Sequence, residues 1–130
     1  MHKEGKIYAE NPTWNGSDYF KDKIILNDVT FLDDGTKIFL ESNPNFFVEM
    51  IHTPGHSLDS VIYYSVKDNF AFVGDTIFRN SYGRYDLPGG DGQTLFNSIK
   101  TKILTLPDET ILFSGHTDQT TVAAEKNFFI

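Results

Sequence analysis

There is no cysteine among these 130 residues, so disulfides, zinc-thiolate sites and thiol nucleophiles are all excluded. Basic charge is scarce as well: 11 Lys and Arg stand against 18 Asp and Glu, a formal net charge of -7. A polyanion finds no electrostatic footing on such a chain, and no basic run with interleaved aromatics is present, which speaks against nucleic acid and membrane surfaces as partners. Long hydrophobic runs are missing too. No stretch approaches the roughly 18 consecutive apolar residues of a membrane span, and Met1-His2-Lys3-Glu4-Gly5 lacks the apolar centre of a secretion signal. A cytoplasmic location is the expectation these absences leave.

What is present suffices for one packed domain and is too short for two: hydrophobic residues make up 39% and aromatics 15%, with twelve Phe. Residues 1–35 are polar and turn-rich, with Asn11-Pro12 and Asn15-Gly16 as turn formers. They read as an irregular lead-in where only Lys6–Ala9 and Lys23–Leu26 look extended. Residues 36–130 carry sheet and helices. Strands are expected at Thr36–Leu40, at Phe46–Thr53 after an Asn43-Pro44-Asn45 turn, at Ser60–Ser65, Asn69–Val73 and Thr110–Ser114; the third and fourth form an antiparallel hairpin. A glycine-rich loop closes on Asp91 as a helix N-cap. The following run, Gln93–Leu106, places Leu95, Ile99, Ile103 and Leu106 at helical spacing until Pro107 stops it, and Thr120–Phe129 makes a second helix. The order predicts an α/β (α+β) fold with a mostly antiparallel or mixed sheet covered by helices on one face.

The chemistry gathers at strand ends. "HTPGH", residues 52–56, holds two histidines, but Pro54-Gly55 rules out the helix that would put both rings on one face, so the turn places at most one of them on a metal. Three strands run into glycine followed by a metal-competent side chain: Gly55-His56, Gly74-Asp75 and Gly115-His116. Taken singly, a histidine at a turn is more often a hydrogen-bonding residue, and Gly-Asp-Thr is more often a turn or a cap. Glycine frees the chain to bend sharply at such points, so that the next side chain projects from the sheet edge. Two imidazoles and a carboxylate projected together suit zinc or iron.

"HTPGHS", "FVGDTIF", "GRYDLPGGD", "LPDETILFSGH" and "TTVAAEK", in this order and at these spacings, resemble the metallo-β-lactamase superfamily, in particular its glyoxalase-II-like (hydroxyacylglutathione hydrolase-like) branch. The resemblance runs from about Ile7 to the C-terminus. It implies an αββα sandwich, with His56 on a first metal, Asp75 bridging two metals and His116 on the second. The metals are zinc, with iron or manganese as alternatives, and a water they activate attacks a small-molecule thioester or related ester. By the same mapping His52 is no ligand. With Ser57, Arg84 and Asp86 it stands behind the ligands or supports the loops, and Tyr82 and Tyr85 line the substrate cleft.

One motif of that family is absent. His-X-His-X-Asp-His supplies four of its seven metal ligands, whereas the histidines here are His2, His52, His56 and His116, no two spaced as His-X-His. Comparison with the family places the chain just after that motif, as a C-terminal part of the domain (1–130, one incomplete metallo-β-lactamase-like unit). A truncated hydrolase, inactive without the N-terminal ligands, is the leading expectation. The alternatives are an oxidoreductase like the persulfide dioxygenases, with one iron, and a non-catalytic half-domain serving as an interaction module. The sandwich architecture also implies an uncovered apolar sheet face, hence a homo-oligomer or pairing with a missing N-terminal half.

Overall fold

The computed structural model describes residues 1–129. Six of its strands form one mixed sheet in the order β1-β2-β3-β4-β7-β8: β1 is Lys37–Leu40, β2 Asn43–His52, β3 Val61–Ser65, β4 Phe70–Gly74, β7 Ile111–Ser114 and β8 Thr120–Thr121. A separate two-stranded ribbon, β5 (Ile77–Phe78) with β6 (Ser81–Tyr82), follows β4 directly. The expected hairpin is present, with Tyr63 opposite Phe72 and Tyr64 opposite Ala71. Neighbours pair antiparallel except β4 and β7, which are parallel because a helical crossover joins them. It follows that β2, β4 and β7 all run in one direction, and their carboxyl ends lie at one end of the sheet.

The helix that makes the crossover starts where Asp91 caps it, its carboxylate accepting the Thr94 N–H at 2.8 Å. It is α3, Gly92–Ser98, and it continues as a π-type turn over Ile99–Ile103, with the Leu104 N–H bonded to the Ile99 carbonyl. The single helix expected over Gln93–Leu106 is therefore two pieces. The widened turn keeps Leu95, Ile99 and Ile103 fully buried against the sheet; each is worth roughly 2 kcal/mol of apolar burial. α4, Val122–Phe129, packs Val122 beside them. The core they share with Ile62, Ala71, Val73 and Leu112 covers one sheet face, as the pattern of strands and helices implied.

The other face carries Tyr63, Phe72 and Phe113 in one cross-strand row, with Phe70 beside them. Ring centroids of Phe70, Phe72 and Phe113 lie 5.2 to 6.2 Å apart, and Phe72 keeps 49% of its surface exposed.

The lead-in departs most from expectation. Lys6–Glu10 is α1 rather than extended, and Pro12–Asn15 is α2, begun by the Asn11 side chain and Pro12 in the first helical turn. Four residues carry too little periodicity to separate strand from helix, and Tyr8 settles it by docking: its hydroxyl donates to the Pro88 carbonyl and accepts the Leu58 N–H. Lys23–Leu26 pairs with no strand and leaves Ile24, Ile25 and Leu26 about half exposed. Asn43-Pro44-Asn45 belongs to β2, the turn falling at Glu41-Ser42; Pro44 is tolerated at the strand's start, beside a register shift against β1.

Candidate metal centre

Gly55 shows why the turn before His56 needs Pro-Gly. Its φ is +135°, and a Cβ there would lie 2.2 Å from the Leu95 Cα, so α3 can approach only a residue without a side chain. Two bonds hold the turn to that helix: the Asp91 N–H donates to the Gly55 carbonyl at 2.8 Å, and the buried Ser98 hydroxyl to the Pro54 carbonyl at 2.7 Å. His56 is thereby fixed at the end of β2. Asp75 and His116 follow the adjacent parallel ends of β4 and β7, where the Gly115 N–H bonds the Gly74 carbonyl. Gly115 serves a different purpose from a sharp bend, since it has no positive φ and a Cβ on it would meet Asp75 Oδ1 at 3.1 Å.

The three side chains converge on the carboxylate. Asp75 Oδ1 lies 2.7 Å from His116 Nδ1, and Oδ2 lies 3.6 Å from His56 Nε2. His56 Nδ1 donates to the Arg84 carbonyl at 2.7 Å, so in the neutral ring the proton sits on Nδ1 and Nε2, which faces Asp75, is the unprotonated nitrogen. That is the tautomer a metal ligand needs. His116 is the most accessible of the three, with 67% of its side chain exposed, and packs edge-on to Phe78 at 5.7 Å. In donor type, and for His56 in tautomer, the residues fit a divalent ion. As the side chains stand, no group of three or more His, Asp or Glu among the described residues surrounds a common point, because the imidazoles are drawn onto the carboxylate itself.

Two cavities meet here and share His56 and Asp75 as a wall. One, of about 260 Å³, is lined also by Phe78, Gly83, Arg84 and His116. The other, of about 380 Å³, extends past Ser57, Asp59 and Ser60 toward His2.

The remaining residues singled out in the sequence separate into groups. Ser57 shares hydrogen bonds with Asp59 and Ser60 next to His56. Arg84 and Asp86 form a two-pronged pair at 2.7 and 2.8 Å; the guanidinium holds the Asp86 carboxyl down at about 2, and Asp86 in turn raises Arg84. His52 turns away from the carboxylate: its Nε2 bonds the Leu58 carbonyl at 2.7 Å and its ring stacks on His2 at 3.8 Å. Tyr82 and Tyr85, expected in the cleft, are not among the residues lining the smaller cavity; both rings pack on Phe96 of α3, at 4.7 and 6.4 Å. Ring contacts with the helix hold both side chains beside the site, and both stay exposed, at 37% and 42%.

Sequence reading missed two residues. His2, 2% exposed, has its pKa lowered by burial first and by His52 second. Glu125 is fully buried, although a Glu beside Lys on a short helix looks like part of a solvated face.

The profile of the Metallo-beta-lactamase superfamily matches residues 2–116. The chain belongs to this superfamily. Among curated members, "Hydroxyacylglutathione hydrolase GloC" of Haemophilus influenzae is 41% identical over 81 residues, 62% of this chain and 38% of GloC. "Probable metallo-hydrolase YqgX" of Bacillus subtilis is 44% identical over 82 residues, 63% of this chain and 39% of YqgX. The BLEG-1 B3 metallo-beta-lactamase superposes with a TM-score of 0.84 at 37% identity, covering 98% of this chain and 61% of its own. TTHA1623, solved in a di-iron-bound form, superposes at 0.75 and 34% identity, covering 94% of this chain and 58% of its own. The mixed sheet with flanking helices is thus the superfamily's fold, and the chain spans about two fifths of the length of the curated relatives it matches. No helix among the described residues is long and apolar enough to cross a membrane.

Proposed function

We propose that this chain carries the His56, Asp75 and His116 part of a metal-dependent hydrolase site of the glyoxalase-II-like kind, acting on a small thioester. The observation that carries the proposal is the tautomer of His56, whose Nδ1 is spent on the Arg84 carbonyl while Nε2 faces Asp75. Similarity to GloC supports the substrate class and similarity to YqgX the hydrolytic chemistry. A bound zinc or iron pair supplies the Lewis acid that polarises the scissile carbonyl and lowers the pKa of water. The protein's own part is to orient the ligands. Asp75, with an oxygen toward each imidazole, would be the residue shared by the two ions, and the cavity lined by Phe78, Gly83 and Arg84 would receive the acyl group.

Three protein ligands cannot close two coordination shells. The remaining ligands come, in this proposal, from polypeptide outside residues 1–130, in keeping with the two-fifths share of GloC and YqgX that the chain matches. The chain by itself then binds Co²⁺ or Zn²⁺ weakly and hydrolyses S-lactoylglutathione at no measurable rate.

Equilibrium dialysis with each ion, repeated on Asp75→Ala and His56→Ala, tests this. Binding that disappears in both variants supports the site. Binding that survives in both, or none in the unaltered chain at millimolar ion, sinks the metal role and favours an interaction module. The di-iron form of TTHA1623 makes ferrous iron the second ion to titrate.

A further inference from the structure

Glu125 of α4 is 0% exposed, yet none of the salt bridges among the described residues involves it. A carboxylate in the interior without a cation is a costly filling, and an apolar side chain of the same size would bury more favourably. What offsets the cost is a division of its two oxygens between separate segments. Oε2 accepts the backbone N–H of Asn80 at 3.0 Å, and Oε1 accepts the hydroxyl of Thr120 at 2.6 Å. Asn80 occupies the turn between β5 and β6 with φ +55°, a conformation few side-chain-bearing residues adopt.

The ribbon so anchored leaves Asp75 and returns at Arg84. Along it stand the two contacts that orient the imidazoles. Phe78 lies edge-on to the His116 ring at 5.7 Å, and the Arg84 carbonyl accepts the Nδ1 proton of His56 at 2.7 Å. Thr120, on the other oxygen, is in β8 just beyond the His116 loop. Among the described residues, Glu125 is thus the one buried side chain bonded both to the ribbon and to the strand after His116.

We infer that Glu125 is a positioning residue for the His56–Asp75–His116 site, acting through the β5–β6 ribbon to hold the Nδ1-protonated form of His56. The inference rests on the metal-site reading only where ion affinity is the readout.

Two substitutions separate its hydrogen bonds from its charge. In Glu125→Gln, the amide oxygen accepts from Asn80 and the amide NH₂ donates to the Thr120 hydroxyl, so both links survive. Glu125→Leu removes both at similar volume. Imidazole ¹⁵N spectra of the metal-free chain read the His56 tautomer, and Co²⁺ titration reads the site. The unaltered chain and Glu125→Gln keep His56 protonated at Nδ1 and agree in Co²⁺ affinity within about threefold. Glu125→Leu shows a mixture of tautomers and about 10- to 100-fold weaker binding, the range for losing a group that orients a ligand. An Nδ1-protonated His56 and unchanged affinity in a folded Glu125→Leu overturn the inference.

Should that variant fail to fold, Glu125→Asp carries the test. One methylene shorter, it cannot reach Asn80 and Thr120 together, so the tautomer mixture and about tenfold weaker binding are expected; a result equal to the unaltered chain overturns the inference. If the unaltered chain binds no Co²⁺, the metal reading has failed, and the tautomer in the metal-free spectra decides on Glu125 alone.

Discussion

His56 Nδ1 lies 2.7 Å from the carbonyl oxygen of Arg84, 28 residues further along the chain. A backbone carbonyl can only accept, so this contact determines which ring nitrogen remains free for an ion. Truncating the ring, His56→Ala, is expected to abolish Co²⁺ binding, whereas His52→Ala leaves it within about threefold, because His52 spends Nε2 on the Leu58 carbonyl and its face on His2. Equal losses in the two variants would contradict the assignment.

Gly55 is the most exacting backbone position near the site. Gly55→Ala must place a methyl group against the backbone of Leu95 at a φ of +135°, and about 3 kcal/mol of stability is expected to go, from overpacking and backbone strain together. Urea denaturation of the variant checks it. A loss below 1 kcal/mol would mean that the turn and α3 separate easily.

His2 makes stability depend on pH. Burial and the adjacent His52 lower its pKa in the folded chain below 6.5, so above pH 6.5 the folded and unfolded states bind the same protons at this residue and its contribution is fully present. As the pH falls below 6.5 the unfolded chain takes up the proton first, and stability declines until the folded pKa is passed. Asp34, Glu4 and Lys3 also face the ring; the two carboxylates oppose the shift and Lys3 adds to it. His2→Asn retains an acceptor for the Glu4 N–H and removes the titration. Urea midpoints at pH 7.5 and 5.5 should fall less for this variant than for the unaltered chain, and equal falls would assign the pH dependence to other groups.

The row Tyr63, Phe72 and Phe113, with Phe70 beside it, lies on the face that the helices leave open. We propose that a second copy of the chain covers it when the chain is alone. Sedimentation velocity should show concentration-dependent association, and Phe72→Glu should weaken it by about tenfold or more, the equivalent of burying one large apolar side chain. A single monomeric species at all concentrations would rule the pairing out.

Local pattern carried a good part of the chain. Helical spacing marked Leu95, Ile99 and Ile103 as one buried stripe; Asp91 ahead of them marked the cap; and glycine before His56, Asp75 and His116 marked three strand ends. Those signals lie within a few residues of one another, which is why they can be read without coordinates. The short lead-in could not be read this way, since α1 is settled by Tyr8 reaching Pro88 and Leu58.

What the tertiary structure alone decided depends on contacts between distant segments. The parallel pairing of β4 and β7 brings Asp75 to His116 across 41 residues. The Arg84 carbonyl selects the tautomer of His56, and the stack on His2 takes His52 out of reach of the site. Packing on Phe96 draws Tyr82 and Tyr85 to α3, and Glu125 is buried because Asn80 and Thr120 meet it from either side. Residue type and spacing determine which side chains are available as ligands; the proton, the orientation and the neighbours of each are set by groups the local sequence does not contain.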